Sequence, residues 1–229
     1  YRGMGDLEKA LGLCEQAIAG APDNALFHCN RGHILTNLGR RSEALDEHEW
    51  CQEAGQRLPD RRFHVPKWRG EVLAPGSRLF LWREQGLGDE LRYTSLLPEA
   101  IRRALEAGAR VTIECDPRLV TLFQRSFPAA EVLPEWSLGP EDCDVHAPFG
   151  SLGCFMIREE ADVARYGGAL KPCPDRTARW RDLLATLDDR PKVGIAWRSG
   201  IRKGMDASPP PPESFAGLAG FGEQATFIN

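Results

Sequence analysis

Leu79-Phe80-Leu81-Trp82-Arg83-Glu84-Gln85-Gly86-Leu87-Gly88-Asp89-Glu90 joins an unbroken apolar run to a glycine turn and then to the start of a helix. Strands covered on both faces read as continuous hydrophobic runs, and the loops at their C-terminal ends are where parallel sheets bind ligands. The stretch therefore predicts the first strand, loop and helix of a nucleotide-handling α/β domain, with the loop from Gln85 to Asp89 as the first candidate site. A dinucleotide fingerprint would need a third glycine near Arg92, and a Walker loop would need Lys followed by Ser or Thr; neither is present. What remains is a close-approach turn that ends in a carboxylate at a helix N-terminus. Asp89 is then either a plain N-cap, a favoured residue there, or a reactive group facing a site.

Downstream the same grammar repeats. A helix is expected from Asp89 to about Ala107, with Leu91, Leu96, Leu97, Ile101 and Leu105 on one face, and Pro98 predicts a break near Leu97. Strands follow at Arg110–Cys115, Glu131–Leu133 and Asp142–Ala147, with a helix opened by Pro117 carrying Leu119, Leu122, Phe123 and Phe127. Strand, helix, strand order implies parallel pairing. A second linker surrounds Lys171-Pro172-Cys173-Pro174, a helix is expected over 176–187, and Lys192–Trp197 restarts the strand pattern, ending in Arg198-Ser199-Gly200. Two strand-and-glycine-loop units around a proline linker suggest two similar domains facing each other across a cleft.

Upstream, residues 1–59 carry a 34-residue period: Gly5 recurs as Gly39, Leu7 as Arg41, Ala10 as Ala44, Cys14 as His48 and Ala17 as Cys51. Glycine ends one helix, alanine permits close helix approach, and Ala21-Pro22-Asp23 breaks the next. Residues 60–77 read as a linker anchored by Trp68 and Val72.

The 229 residues suffice for one large or two modest domains, and the formal net charge of −4 does not suit nucleic acid. Residues 1–60 hold six Lys/Arg against ten Asp/Glu, and the remainder is balanced at 23 of each. Seven cysteines without a CxxC pair, mostly among apolar neighbours, suggest reduced, buried thiols in a cytoplasmic protein. Five scattered histidines without HExxH or a Cys/His cluster argue against a metal. No apolar run is long enough for a membrane span, and no signal peptide heads the chain. The opening without Met and the close on Ala225–Asn229, a strand pattern, read as cut ends, so further repeats are expected upstream.

Two family resemblances follow. Gly5-Asp6-Leu7-Glu8-Lys9-Ala10, Ala17, Pro22, Asn30-Arg31-Gly32 and Leu38-Gly39 resemble the tetratricopeptide repeat, with Arg41 departing from its usual aromatic and Pro59 arriving late. The resemblance puts Asn30, His33 and Asn37 on the helix that lines the family's concave groove, where they either bind a protein or peptide or stand as solvated polar residues. Trp82–Asp89, Asp144-Val145-His146-Ala147-Pro148 with Ser151-Leu152, and Val193–Gly200 together resemble bacterial repeat proteins whose C-terminal part is similar to heptosyltransferase-like glycosyltransferases.

That resemblance implies an α plus α/β chain: tetratricopeptide repeats at 1–59, a Rossmann-like GT-B N-terminal domain at 78–170, linker and helix at 171–191, and the start of a second Rossmann-like domain at 192–229. It implies metal-independent, inverting transfer from a nucleotide sugar to a protein or saccharide, with no cofactor beyond that donor. Asp89 maps onto the proposed general base, Gln85, Gly86 and Gly88 onto the substrate loop, and Arg198, Ser199, Gly200 and Lys203 onto the donor diphosphate. Ser208 followed by Pro209–Pro212 departs from the polar residues of relatives. His146 is either a cleft residue or a satisfied structural histidine. The competing expectation is a scaffold in which the repeats recruit a partner and a degenerate transferase region does not catalyse.

Overall fold

The computed structural model describes residues 6–55, 61, 63–139, 142–196 and 212–228. The chain divides after Lys171 into two compact units. It is a mixed helical and parallel-sheet protein, as the alternation of apolar runs and amphipathic stretches predicts.

The first unit opens with three helices, α1 (Leu7–Gly20), α2 (Ala25–Asn37) and α3 (Arg41–Glu53). Asp6 caps α1 by accepting from Lys9 N, and Asn24 caps α2 by accepting from Leu26 N and Phe27 N at 3.1 and 3.4 Å. α1 and α3 begin at Leu7 and Arg41, positions that the sequence period equates. Ala10, Leu11, Ile34, Leu35 and Ala44 form their shared core. Gly32 lets α2 and α3 meet closely, since a Cβ there would lie 3.2 Å from both Glu47 Cβ and His48 Nδ1.

The sheet of the first unit has four parallel strands in the order β3-β2-β1-β4: β1 (Arg78–Trp82), β2 (Arg110–Cys115), β3 (Glu131–Pro134) and β4 (Val145–Pro148). The alternation of side chains sends Leu79, Leu81, Val111, Ile113, Val145 and Ala147 into the main core with Leu97, Ile101 and Phe123. The other face holds Phe80, Trp82 and Cys143, covered by Phe63 and Val65 of the preceding segment and by Leu138. An irregular segment, rather than a helix, thus makes the second apolar cover that the continuous β1 run requires.

Where a single broken helix was expected after β1, two helices form: α4 (Leu87–Tyr93) and α5 (Leu97–Glu106), separated by a 3-10 turn over Thr94–Leu96. Pro98 sits in the first turn of α5, where its missing N–H costs nothing, so the break near Leu97 is present. Leu105 is exposed, and Ala100 and Ala104 fill the face instead. Trp68 is buried as expected, but Val72 is 91% exposed and Leu73 replaces it in the core. Beyond α6 (Val120–Ser126) and β4, the short helices α7 (Gly153–Met156) and α8 (Glu160–Val163) close the unit.

The second unit contains α9 (Pro174–Ala185) and a parallel pair, β5 (Lys192–Gly194) with β6 (Thr226–Ile228). Asp188 organises it, accepting from Thr226 Oγ1 at 2.6 Å, Arg190 Nη2 at 2.5 Å and Lys192 Nζ at 3.0 Å. These donors, Arg190 first, hold its carboxyl well below the usual range. No helix among the described residues is long and apolar enough to cross a membrane.

Candidate functional site

The strand order reverses direction between β1 and β4, because β2 and β3 extend the sheet on one side of β1 and β4 lies on the other. The carboxyl ends of those two strands make the crevice in which open parallel sheets bind ligands. Two loops face each other there, 83–86 after β1 and the 3-10 turn Phe149–Leu152 after β4. Gly150 N donates to Glu84 Oε1 at 2.9 Å and joins them.

The β1 loop is held by charge. Glu90 is fully buried, yet accepts from Arg83 Nε at 2.5 Å and from Asp116 N at 2.9 Å, so it ties the β1 loop to the end of β2. Burial pushes its carboxyl above the usual range, against the pull of Asp116 N–H and Arg83. Arg83 also pairs with Glu135 beyond β3 and donates to Gln85 O at 3.2 Å. Gln85 takes φ 64°, a left-handed conformation uncommon for a residue with a side chain. Such a conformation costs on the order of 1–3 kcal/mol and persists where surrounding contacts over-determine it.

Asp89 is the third residue of α4, not its cap. Gly86 takes the cap position, and Asp89 Oδ2 reaches back to accept from Gly86 N at 3.2 Å. The helix therefore starts two residues before the expected point. Gly88 lies in its first turn, and a Cβ there would meet nothing within 4 Å.

Asp89 and Gln85 line one pocket of about 150 Å³ with His33, Thr36, His48 and Cys51 from α2 and α3, and Arg92 and Tyr93 from α4. A neighbouring cavity of about 330 Å³ shares Thr36, His48, Arg92 and Tyr93. The smaller cavity lies below the roughly 300–1,000 Å³ of small-molecule sites, whereas its neighbour falls at the lower end of that range. A carboxylate, an amide, a guanidinium, a phenol and two imidazoles around one space can bind a hydroxyl-rich ligand and take up a proton.

The sequence placed His33 in a protein-binding groove and Gln85 and Asp89 in a substrate loop; the fold brings all three to one wall. Asn30 is half-buried on α2 and Asn37 is exposed at its end, and neither lines that pocket. His146 lies on the second face of the sheet, paired in register with Phe80. Its ring stacks on Phe63 at 3.9 Å, and its Nδ1 accepts from Trp82 Nε1 at 3.0 Å. Burial first, and then the Lys67 and Arg61 charges, lower its pKa to about 4. These are the surroundings of the structural histidine. Arg198, Ser199, Gly200 and Lys203 lie outside the described residues.

Several groups here were not singled out in the sequence. Glu84 and Glu90 are carboxylates within the stretch that decides the fold, and charge at the end of a buried strand was the available signal. Cys29 and Cys51 form a disulfide between α2 and α3, which corrects the reading of seven reduced thiols. No local signal marked the pair, because the two cysteines lie on separate helices at a sequence separation of 22.

No family model matches this chain, and no solved structure matches it. It is similar to Protein FlbA of Caulobacter vibrioides, 32% identical over an alignment of 216 positions that covers 86% of this chain and 36% of that protein. The chain thus spans little more than a third of the length of that relative.

Proposed function

We propose that this chain belongs to a glycosyltransferase of the heptosyltransferase-like, GT-B kind, in which tetratricopeptide repeats present an acceptor to a Rossmann-like domain. The sugar passes from a nucleotide-sugar donor to a protein or saccharide hydroxyl. Asp89 is the general base that takes the hydroxyl proton as its oxygen attacks the anomeric carbon. The observation that carries this reading is that Asp89 and Gln85, at the sheet's switch point, share a pocket with His33 of the helical repeat. An acceptor held on the helices would reach the base directly. The Gly86 N–H bond to Asp89 engages one oxygen and fixes the carboxylate without exhausting its lone pairs.

Full-length protein assayed for sugar transfer and sugar-nucleotide hydrolysis, beside Asp89→Asn, tests it. Loss of turnover in the variant with donor binding retained is expected. Wild-type turnover unchanged by the substitution would remove Asp89 as the base.

The small size of the Asp89 pocket favours a second reading, a repeat scaffold carrying a transferase region that does not turn over. Calorimetric titration of the full-length protein with several nucleotides separates the two. Binding of none of them would support the scaffold.

A further inference from the structure

Two helices of the repeat bring three soft or borderline ligands together, Cys29, His33 and Cys51, whose ligand atoms lie within 4.8 Å of one another, with His48 beside Cys51. Cys29 and His33 lie one turn apart on α2, and His48 and Cys51 lie one turn apart on α3. Both cysteines are buried, and their Cα atoms are 4.7 Å apart. His33 Nε2 lies 3.6 Å from Cys29 Sγ, and His48 Nδ1 lies 3.7 Å from Cys51 Sγ. The two imidazoles meet edge to face at 5.1 Å between centroids. A disulfide alone requires neither ring.

We propose that the reduced form of this cluster binds one zinc ion through Cys29, His33, His48 and Cys51. With Zn–S near 2.3 Å and Zn–N near 2.05 Å, a tetrahedral site separates sulfur from nitrogen by about 3.6 Å. Both observed sulfur–nitrogen distances already have that value. The sulfurs have to part to about 3.8 Å on the same geometry, and His48, which stands outside the three mutually close ligands, has to close on them.

The neighbouring hydrogen bonds orient one ring for the task. Thr36 Oγ1 donates its single proton to Gly32 O at 2.9 Å, so its 2.9 Å contact with His48 Nε2 is one in which Nε2 donates. That fixes the neutral tautomer and turns the Nδ1 lone pair toward Cys51 Sγ, the arrangement that metal-bound histidines obtain from their outer partners. Charge also fits the burial. Two thiolates and two neutral imidazoles around a dication sum to zero, so the site holds no net charge away from water.

The steps balance. A dithiol or phosphine reductant delivers two electrons to the Cys29–Cys51 bond and is itself oxidised, leaving two thiols. Metal binding then releases both thiol protons to solvent. The metal and the disulfide are therefore mutually exclusive staples of α2 to α3, at the wall that also carries Asp89.

The test is cobalt titration of the whole chain, first oxidised and then reduced with a phosphine under anaerobic conditions. The reduced protein is expected to take up one equivalent of Co²⁺, with thiolate-to-metal charge transfer and tetrahedral ligand-field bands that Zn²⁺ abolishes. The oxidised protein is expected to show neither. Cys51→Ser and His48→Gln should each weaken binding about tenfold or more, and His64→Ala, on an exposed residue outside the cluster, should leave it unchanged. If far-UV circular dichroism shows Cys51→Ser unfolded, His48→Gln and the oxidised-against-reduced comparison decide. Absence of the charge-transfer band in the folded, reduced protein overturns the proposal. So does binding that His48→Gln leaves intact.

Discussion

Glu84 Oε1 accepts the Gly150 N–H at 2.9 Å, a bond that spans 66 residues and closes the switch point of the sheet. Gly150 is glycine for a steric reason, since an added Cβ would fall on that oxygen and within 3.2 Å of Tyr93 Cζ and its hydroxyl. Glu84 is almost wholly buried and has little room to give. Gly150→Ala is expected to destabilise by about 1–3 kcal/mol, the range for overpacking a closed site. Urea unfolding of the single variant and of Gly150→Ala in a Glu84→Ala background checks it. The glycine substitution should cost clearly less in the second background, because the two residues are coupled; equal costs would refute the steric account.

A second expectation concerns the buried pair on the other face of the sheet. Arg61 donates to Glu114 and, through Nη2, to Leu138 O at 2.8 Å, while Glu114 Oε2 accepts from Trp136 N at 2.9 Å. The guanidinium also lies over the rings of Trp136 and Phe80, at 4.7 and 5.2 Å. Removing one buried partner leaves the other charge uncompensated and costs about 3–5 kcal/mol, whereas replacing both by apolar groups costs much less. Arg61→Met should therefore lower stability severely, and Arg61→Met with Glu114→Met should recover part of it. A double-mutant cycle by chemical unfolding measures this, and simple additivity would count against the pairing.

These contacts show what could and could not be read along the chain. β1 was legible because both its faces are covered, and the break before α5 was legible because Pro98 suits only a first turn. The Gln85–Asp89 loop could be placed because it follows the strand. Its partners could not: Glu84 finds Gly150 across 66 residues, and Arg61 finds Glu114 across 53. Local pattern tells which face a residue occupies but not what arrives opposite it. Arg61 read only as part of the 60–77 linker for that reason, and Cys29 and Cys51 read as reduced, buried thiols until α2 and α3 were paired. His33 was singled out for its helix face, whereas its place beside Asp89 depends on how α2 and α3 meet the β1 loop and α4.

Asp89 has a local structural role that can be separated from its proposed chemistry. Its Oδ2 satisfies the Gly86 N–H at the start of α4. Asp89→Ala should cost about 1 kcal/mol, as for a lost helix-capping acceptor. Asp89→Asn keeps an oxygen acceptor, so its thermal midpoint should lie close to the wild type while any base function disappears. Differential scanning fluorimetry of both variants checks this. Equal losses in the two would mean that the negative charge, rather than the acceptor, holds the turn.

The last prediction is a pH dependence carried by His146. Its Nδ1 already accepts the Trp82 Nε1–H, its ring is covered by Phe63, and Lys67 and Arg61 add positive charge nearby. Protonation in the fold is therefore opposed, and its pKa falls to about 4 from the ordinary 6.5. The sign follows from proton uptake. Between these values the unfolded chain takes a proton that the folded chain refuses, so the contribution is complete above pH 6.5 and is lost as pH falls toward 4. At about 1.4 kcal/mol per pH unit, the loss reaches at most about 3.5 kcal/mol. Urea midpoints across that interval should fall for the wild type more steeply than for His146→Gln, whose amide oxygen still accepts from Trp82 but does not titrate. Carboxylates titrating near pH 4 contribute to both proteins and cancel in the difference, so parallel curves would show that His146 charges as readily folded as unfolded.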